Sequence, residues 1–512
     1  MPAPRPASVR GTALGDLAVL LAVPPPPSDV VVSGVTLDSR AVLPGDLYAA
    51  LPGARAHGAQ FAAGAAASGA VAVLTDGAGR DLLALEGLDL PTLVVESPRS
   101  VLGRVSALVL GTEQTPLRMV GITGTNGKTT TAHLLDSALR ALGNQSGLIG
   151  TVETRIGDER LDSVRTTPEA PELHAILAVM AERGLDTCVM EVSSHALVQH
   201  RVDGVVYDLA LFTNLSQDHL DFHADMEDYF SAKADLFTAR RSRSALICTD
   251  DDWGRRLAAS AGVPVQTIGS EGTPDWRIVV EDSDPADFHL LGQGLDLHLR
   301  SSLPGSFNVT NTAMAAATLV LLGEEPHLVE AAVRTDPHVP GRMERVTGGG
   351  AHEPLAVVDY AHTPEAIRAA LTALRPTTEG LLVCVTGAGG DRDRDKRAAM
   401  GVAAAEVADL VVVTDDNPRS EDPARIRAAV LAGVESVRAT GRDVEVREVG
   451  DRRAAIRAAV AAVAGERNAT IAIVGKGHES GQEIDGVVHP FDDRTELRDA
   501  LRAAGGLSDA AR

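Results

Sequence analysis

A chain of 512 residues exceeds what one hydrophobic core organises, so two or three domains are expected. Hydrophobic residues make up 44% of the chain and aromatic residues only 3%, so the cores must be built from Ala, Val and Leu, a composition suited to helices packed on buried parallel strands. The net charge of −23 disfavours non-specific binding to nucleic acid or anionic membranes, and anionic substrates would need locally basic pockets.

Residues 1–10 carry three Pro and two Arg with little apolar content, and a frayed end is expected there. The apolar run 14–23 is interrupted by Gly15 and Asp16 and leads into four prolines at 24–27, which is not the plan of a signal peptide. No stretch approaches the ~20 apolar residues of a spanning helix, so a cytoplasmic chain without membrane insertion is expected. Cys188, Cys248 and Cys384 each lie in an apolar stretch, with neither metal-ligand spacing nor an even disulfide framework. They read as buried thiols in a reducing compartment.

Three blocks follow in chain order. Residues 1–115 read as a small α/β domain of short Val-rich strands. Residues 116–340 open with an apolar strand at 117–123 and alternate strand and helix, with another strand at 187–191. Residues 341–512 repeat the alternation, with strands at 355–359, 381–386, 410–414 and 469–474. Such alternation predicts an α/β fold of parallel, doubly wound sheets, whose ligands gather beyond the carboxyl ends of the strands. No short-period repeat or heptad pattern is present, which removes solenoid and fibrous readings.

The run Gly124-Thr125-Asn126-Gly127-Lys128-Thr129-Thr130 follows the strand 117–123 and opens a helix expected over 131–142. Its glycines let backbone N–H groups converge on phosphate oxygens, Lys128 supplies a point charge, and the Thr129 hydroxyl can reach Mg²⁺. The strict eight-position pattern fails at its first glycine, where Ile122 stands, and a glycine-rich strand-to-helix turn without phosphate is the alternative. Glu191 ends the strand 187–191, where a second Mg²⁺ ligand belongs, although an acidic residue at a strand end is more often a capping or solvated group. In the segment 214–223, His219 and His223 have the spacing of a zinc pair. No Glu follows His219 and no third ligand is evident, so one His near Mg²⁺ and one structural His is the better reading.

Taken together, these blocks resemble the Mur ligases, which join amino acids to the peptide of a UDP-muramic acid precursor. The resemblance rests on the phosphate loop, the block 191–197 (EVSSHAL), the block 214–223 (NLSQDHLDFH), the turn Pro340-Gly341-Arg342-Met343-Glu344 and the run Asp359-Tyr360-Ala361-His362-Thr363-Pro364. It covers nearly the whole chain, and the shared order of the blocks is its specific feature.

The resemblance implies an N-terminal domain for the UDP part, a central P-loop-type ATPase and a C-terminal Rossmann-like domain for the incoming amino acid. It further implies transfer of the γ-phosphate of ATP to a substrate carboxylate, followed by attack of an amine on the acyl phosphate; separately, a monomer is expected. Lys128, Glu191, His219 and Lys233 would be the catalytic set, with Thr129, Glu191, His219 and a carbamate on Lys233 at Mg²⁺. Without the resemblance, Lys233 reads as a solvated helix lysine. The nucleotide would also meet Asn311, Arg342 and Asp359. The UDP substrate would meet Leu37, Ser39, Thr166, Thr167, Ser193, Gln199 and Arg201, of which Arg201 suits an anion by its own chemistry.

Asp415-Asp416-Asn417-Pro418-Arg419 matches the Asp-Asn-Pro-Arg signature of the diaminopimelate-adding branch of that family. Diaminopimelate carries a second carboxylate on its far carbon, which a planar guanidinium can grip through two parallel bonds. Arg419 is therefore the expected specificity residue, within the substrate set Asp416, Asn417, Pro418 and Arg419. Arg392 would pair with another carboxylate, and Gly475 and Glu479 would hold the distal ammonium; a surface salt bridge is the alternative for Arg419. The rival readings are a folate polyglutamate synthetase or another Mur ligase, and a nucleotide-driven switch that hydrolyses ATP without an acceptor.

Overall fold

The computed structural model describes residues 4–27, 29–161, 165–335, 337–348 and 353–510, with 505–510 described by backbone only. The chain divides into two compact units: Met1–Gly124, Ala138–Thr213 and Phe230–Ile268 form one, and Thr125–Ser137, Asn214–Tyr229 and Gly269–Arg512 form the other.

The first unit opens with a four-stranded parallel sheet, Gly34–Thr36, Asp46–Ala49, Ala72–Thr75 and Thr92–Val94 in sequence order. Strand residues alternate between two cores. Leu47 and Ala49 pack with Leu14, Leu17, Leu102 and Val105, while Tyr48 and Ala50 pack with Ala59, Ala62, Ala65 and Leu83. Burial on both faces is what parallel strands require, and the Ala-rich helices allow close approach. The helix Pro98–Leu110 starts on proline and ends at Gly111 in the left-handed conformation, the usual asymmetry of helix ends.

The expected fraying of the N-terminus does not hold from residue 5 onward, and residues 1–3 lie outside the described residues. Arg5 grips the fully buried carboxylate of Asp46 with both terminal nitrogens, and the backbone N–H groups of Ala7 and Ser8 donate to Glu182. A buried carboxylate demands a counter-charge, and composition alone does not reveal that Arg5 supplies it.

The same unit carries the parallel strands Ser146–Ile149, Thr187–Glu191, Arg118–Thr123, Leu209–Phe212, Ala245–Cys248 and Val265–Gly269, in that spatial order. Glu191 lies opposite Ile122 and Phe212 opposite Thr123, so three carboxyl ends are level along one sheet edge. The antiparallel strands Thr154–Ile156 and Glu159–Leu161 extend it on one side. Cys188, Cys248 and Cys384 are buried and unbridged, as expected, and burial pushes the Cys248 and Cys384 thiols up to about 12.

A buried histidine gives this unit a pH response. His174 Nδ1 lies 2.6 Å from the Thr112 hydroxyl and Nε2 lies 3.0 Å from the Asp203 carbonyl. The carbonyl can only accept, so Nε2 carries the proton and the hydroxyl donates to Nδ1, leaving a neutral ring. Full burial lowers its pKa from 6.5 to about 4. The unfolded chain therefore binds the extra proton first, so this contribution is complete above about pH 6.5 and is lost as pH falls to 4, roughly 3 kcal/mol in all. Urea midpoints across that range should fall more steeply for the native chain than for His174→Gln; parallel curves would refute the assignment.

In the second unit, Trp276–Val280, Asp287–Gly292 and Leu295–Arg300 form an antiparallel meander, which departs from the purely parallel sheets expected. Its tight connection is a two-residue turn in which Gln293 and Gly294 both have positive φ (51° and 78°). The C-terminal sheet has the order Glu344–Arg345, Leu355–Asp359, Thr470–Val474, Leu382–Thr386, Leu410–Val413 and Glu445–Glu448, parallel except for its first strand. Successive strand residues again feed two cores, Cys384, Val411 and Val413 on one face and Val383, Val385 and Val412 on the other.

Candidate functional site

The phosphate-loop helix runs Lys128–Ala141, starting three residues earlier than the sequence pattern suggests, so Lys128 and Thr129 lie in its first turn. Strand Arg118–Thr123 feeds the loop, and Gly124 and Gly127 take φ of 148° and 86°, which a side chain would resist. The loop is held from the segment after strand Leu209–Phe212: Thr125 N donates to Asn214 O (2.9 Å), Asn126 N donates to Asn214 Oδ1 (2.9 Å), and Ser216 N donates to Thr125 Oγ1 (3.0 Å). Lys128 Nζ folds back on its own loop and donates to Thr125 O at 2.8 Å.

Arg342 reaches this loop from the C-terminal block and donates to Thr129 Oγ1 at 3.1 Å, with its guanidinium 4.5 Å above the Tyr360 ring. Its Nε is buried without a hydrogen-bond partner among the described residues, a donor waiting for an acceptor. Asp359 fixes that turn by accepting from Met343 N and Ala361 N, and burial pushes its carboxyl up against the pull of Arg342. Asn311, on the helix Ser306–Leu321, accepts from Thr131 Oγ1 at 3.2 Å, and Thr130, which precedes Thr131 in the helix Lys128–Ala141, is buried.

Sequence reasoning passed over Asp218. Its carboxylate lies 3.5 Å from His219 Nε2, 3.7 Å from His362 Nε2 and 3.5 Å from Lys396 Nζ. Burial alone would push it up, but the hydrogen bond and charge of His362, with His219 and Lys396, hold it far below the ordinary carboxylate range. His219 takes φ 55°, whereas His223 is buried against Asp228 and Tyr229, so the two histidines serve different surroundings.

In the other unit, Glu191 is 1% exposed and accepts from Thr151 N (2.8 Å) and Thr151 Oγ1 (3.0 Å). Gly150 makes room for it, since an added Cβ there would lie 2.5 Å from Glu191 Oε1. Thr151 Oγ1 also lies 3.0 Å from Thr166 Oγ1, Thr167 donates to the Glu191 carbonyl, and Ser193 caps the short helix Ser194–Val198. Arg201 is drawn into the same network, donating to Gln199 Oε1 (2.6 Å) and Thr167 O (3.3 Å) and pairing with Glu169. Leu37 and Ser39 follow the strand Gly34–Thr36, and Leu37 leans on the N-terminal core. Lys233, in the last turn of Met226–Ala234, is 1% exposed and donates to Gly124 O at 2.9 Å.

Beyond the strand Leu410–Val413, the run Asp416 to Arg419 meets the loop holding Gly389 and Gly390 so closely that a Cβ on Gly390 would lie 1.9 Å from Pro418 O. Arg419 adopts φ 53°, sparsely allowed for a side-chain-bearing residue, and donates Nη1 to Gly390 O (2.6 Å) with Nε 3.3 Å from Glu483. Arg392, half exposed, lies 3.3 Å from Asp221. Asn417 Nδ2 donates to Glu479 Oε2 (2.9 Å), and the fully buried Lys476 donates to both Asn417 Oδ1 and Glu479 Oε2 at 2.9 Å. Gly475, at φ 118°, has no room for a Cβ, which would lie 2.6 Å from Asp416 Oδ2. Lys476 escaped sequence reasoning although it lies between Gly475 and Gly477; a lysine flanked by glycines after a buried strand is a detectable signal.

Comparison with known proteins gives three successive family matches. Residues 31–109 match the family model "Mur ligase family, catalytic domain", 122–319 match "Mur ligase middle domain", and 341–477 match "Mur ligase, glutamate ligase domain". A Streptomyces avermitilis protein named UDP-N-acetylmuramoyl-L-alanyl-D-glutamate–2,6-diaminopimelate ligase is 52% identical, covering 98% of this chain and 99% of its own. A Corynebacterium glutamicum protein of the same name is 47% identical over 92% of each chain. A solved structure carrying that name superimposes with a TM-score of 0.66 at 32% identity, covering 96% of this chain and 99% of the other. With three consecutive family matches and near full-length identity of this order, the chain belongs to the Mur ligase family.

Proposed function

We propose that the protein is an ATP-dependent ligase that adds meso-diaminopimelate to UDP-N-acetylmuramoyl-L-alanyl-D-glutamate in peptidoglycan precursor synthesis. It acts as a cytoplasmic monomer with domains at 1–115, 116–340 and 341–512. The observation that carries the reading is the Asp416-Asn417-Pro418-Arg419 run locked against Gly389 and Gly390 beyond the strand end, a cradle of guanidinium and carboxylates suited to a zwitterionic dicarboxylic amino acid.

The loop amides from Gly124 to Thr130 and Lys128 bind the ATP phosphates, Asn311 and Asp359 flank the nucleoside, and Arg342 presents its unpartnered Nε to the nucleotide. The oxygen donors of Thr129 and Glu191 are of the kind Mg²⁺ takes, joined by His219 and a carbamylated Lys233. Bound Mg²⁺ supplies charge shielding as two anions approach. Leu37, Ser39, Thr166, Thr167, Ser193, Gln199 and Arg201 orient the UDP-dipeptide so that its carboxylate accepts the γ-phosphoryl group. Arg392 and Arg419 hold the amino acid's carboxylates, and Gly475 and Glu479 its distal ammonium, so that the other amine attacks the acyl phosphate and expels phosphate. No described helix is long and apolar enough to cross a membrane, which fits soluble substrates.

The test is ADP release by the pure protein. Release should require both the UDP-dipeptide and an amino acid acceptor, with diaminopimelate strongly preferred to lysine. Equal use of lysine would overturn the specificity, and hydrolysis indifferent to any acceptor would favour a nucleotide-driven switch.

A further inference from the structure

The outer face of the antiparallel meander carries a cluster the ligase reaction does not use. Phe288, Leu290, Leu297 and Leu299 point into the core, so the alternate residues His289 and His298 point outward. These two histidines are directly opposed across the strand pair, with ring centroids 5.2 Å apart. Glu281, just past the first strand, places Oε1 3.1 Å from His298 Nε2 and 3.5 Å from His289 Nε2.

We propose that Glu281, His289 and His298 form a binding site for a borderline divalent transition metal of the Zn²⁺ class, which ties the three strands of the meander together. The ligand atoms of the three residues all lie within 4.8 Å of one another, the one such group among the described residues. A tetrahedral ion with arms of ~2.0–2.1 Å has ligand-to-ligand edges of about 3.4 Å, which the two Glu281 contacts bracket. The third edge closes with a small rotation of exposed rings, and water completes the shell.

Neighbouring groups already orient the ligands. His289 Nδ1 lies 2.7 Å from Asp296 Oδ1, so the carboxylate holds the proton on Nδ1 and leaves the Nε2 lone pair facing Glu281. The neighbouring carboxylates Asp284 and Asp287 are taken by Arg300, so they do not compete for the ion. His298 is fixed at the backbone, where its N–H donates to Glu330 at 2.8 Å. Two imidazoles with one carboxylate select Zn²⁺, Ni²⁺ or Cu²⁺ over Mg²⁺.

Equilibrium dialysis of the untagged, chelator-stripped chain against Zn²⁺, with excess Mg²⁺ throughout, tests the site. The native chain should bind one Zn²⁺ more than His298→Ala or His289→Ala, and its melting temperature should rise with Zn²⁺ while those of the variants do not. Asp296→Asn should weaken binding about 10- to 100-fold. Co²⁺ should give visible absorption bands of four-coordinate geometry in the native chain alone. Equal Zn²⁺ uptake by the native chain and both histidine variants, or no uptake by any, overturns the proposal and leaves an imidazole–carboxylate salt link. Ligase activity need not change in either case, so this outcome is separate from the proposed reaction.

Discussion

Arg419→Ala is expected to lower kcat/KM for meso-diaminopimelate by about 10³-fold while leaving the much lower value for lysine unchanged, so that the preference between the two collapses. The loss should fall mainly on the amino acid, with KM for ATP and the UDP-dipeptide little altered. A site built to pair a carboxylate disfavours the analogue without it because part of its guanidinium loses water on binding and gains no carboxylate in return. Arg419 is about a quarter exposed and committed to Gly390 O and Glu483, contacts a second carboxylate can replace or extend. The left-handed backbone at φ 53° costs Ala about what it costs Arg, so the variant does not add strain of its own. Arg419→Lys keeps the charge but not the two parallel bonds and should recover only part of the activity. An unchanged ratio of diaminopimelate to lysine use in Arg419→Ala would remove Arg419 from the specificity site.

Lys233→Ala should cost on the order of 10³-fold in kcat, and an excess of a short carboxylic acid should restore part of it. The side chain is 1% exposed and lies against the carbonyl of Gly124, the residue that opens the phosphate loop. Reaction of the amine with CO₂ turns a cation into an anion, and a carboxylic acid diffusing into the vacated space supplies the same charge. Lys233→Met fills that space without charge, so it should be as inactive as the alanine variant and less open to rescue. If no acid restores any activity in Lys233→Ala while the variant melts like the native chain, the carbamate is wrong and the lysine is a structural prop for Gly124.

Much of the strand framework was legible because it is a short-range matter. Strands observed at Thr187–Glu191 and Leu355–Asp359 coincide with their sequence-based bounds, and those at Leu382–Thr386, Leu410–Val413 and Thr470–Val474 differ by one residue. Each is a continuous apolar run buried on both faces and bounded by glycine, proline or charge, so local composition suffices. The helix start at Lys128 was misjudged because the loop's threonines have modest helix propensity, and only the hold of Asn214 and Ser216 on the loop sets where the helix begins.

Partner choice was far less legible. Asp218 lies in a block singled out for its histidines, yet its role follows from His362 and Lys396, distant in sequence. Lys476 drew no attention in the sequence, and its burial between Asn417 and Glu479 shows only in the fold. Arg5 reads as part of a loose tail until it meets Asp46.

By itself, the order of residues determined the α/β class and the motifs that place this chain among the Mur ligases, because periodicity and glycine-rich turns act over a few neighbouring positions. Only the tertiary structure decided which charges are buried, which carboxylate answers which cation, and that two histidines and a glutamate share one outer sheet face. Those outcomes depend on desolvation and on contacts between segments far apart in the chain, quantities that no local pattern carries.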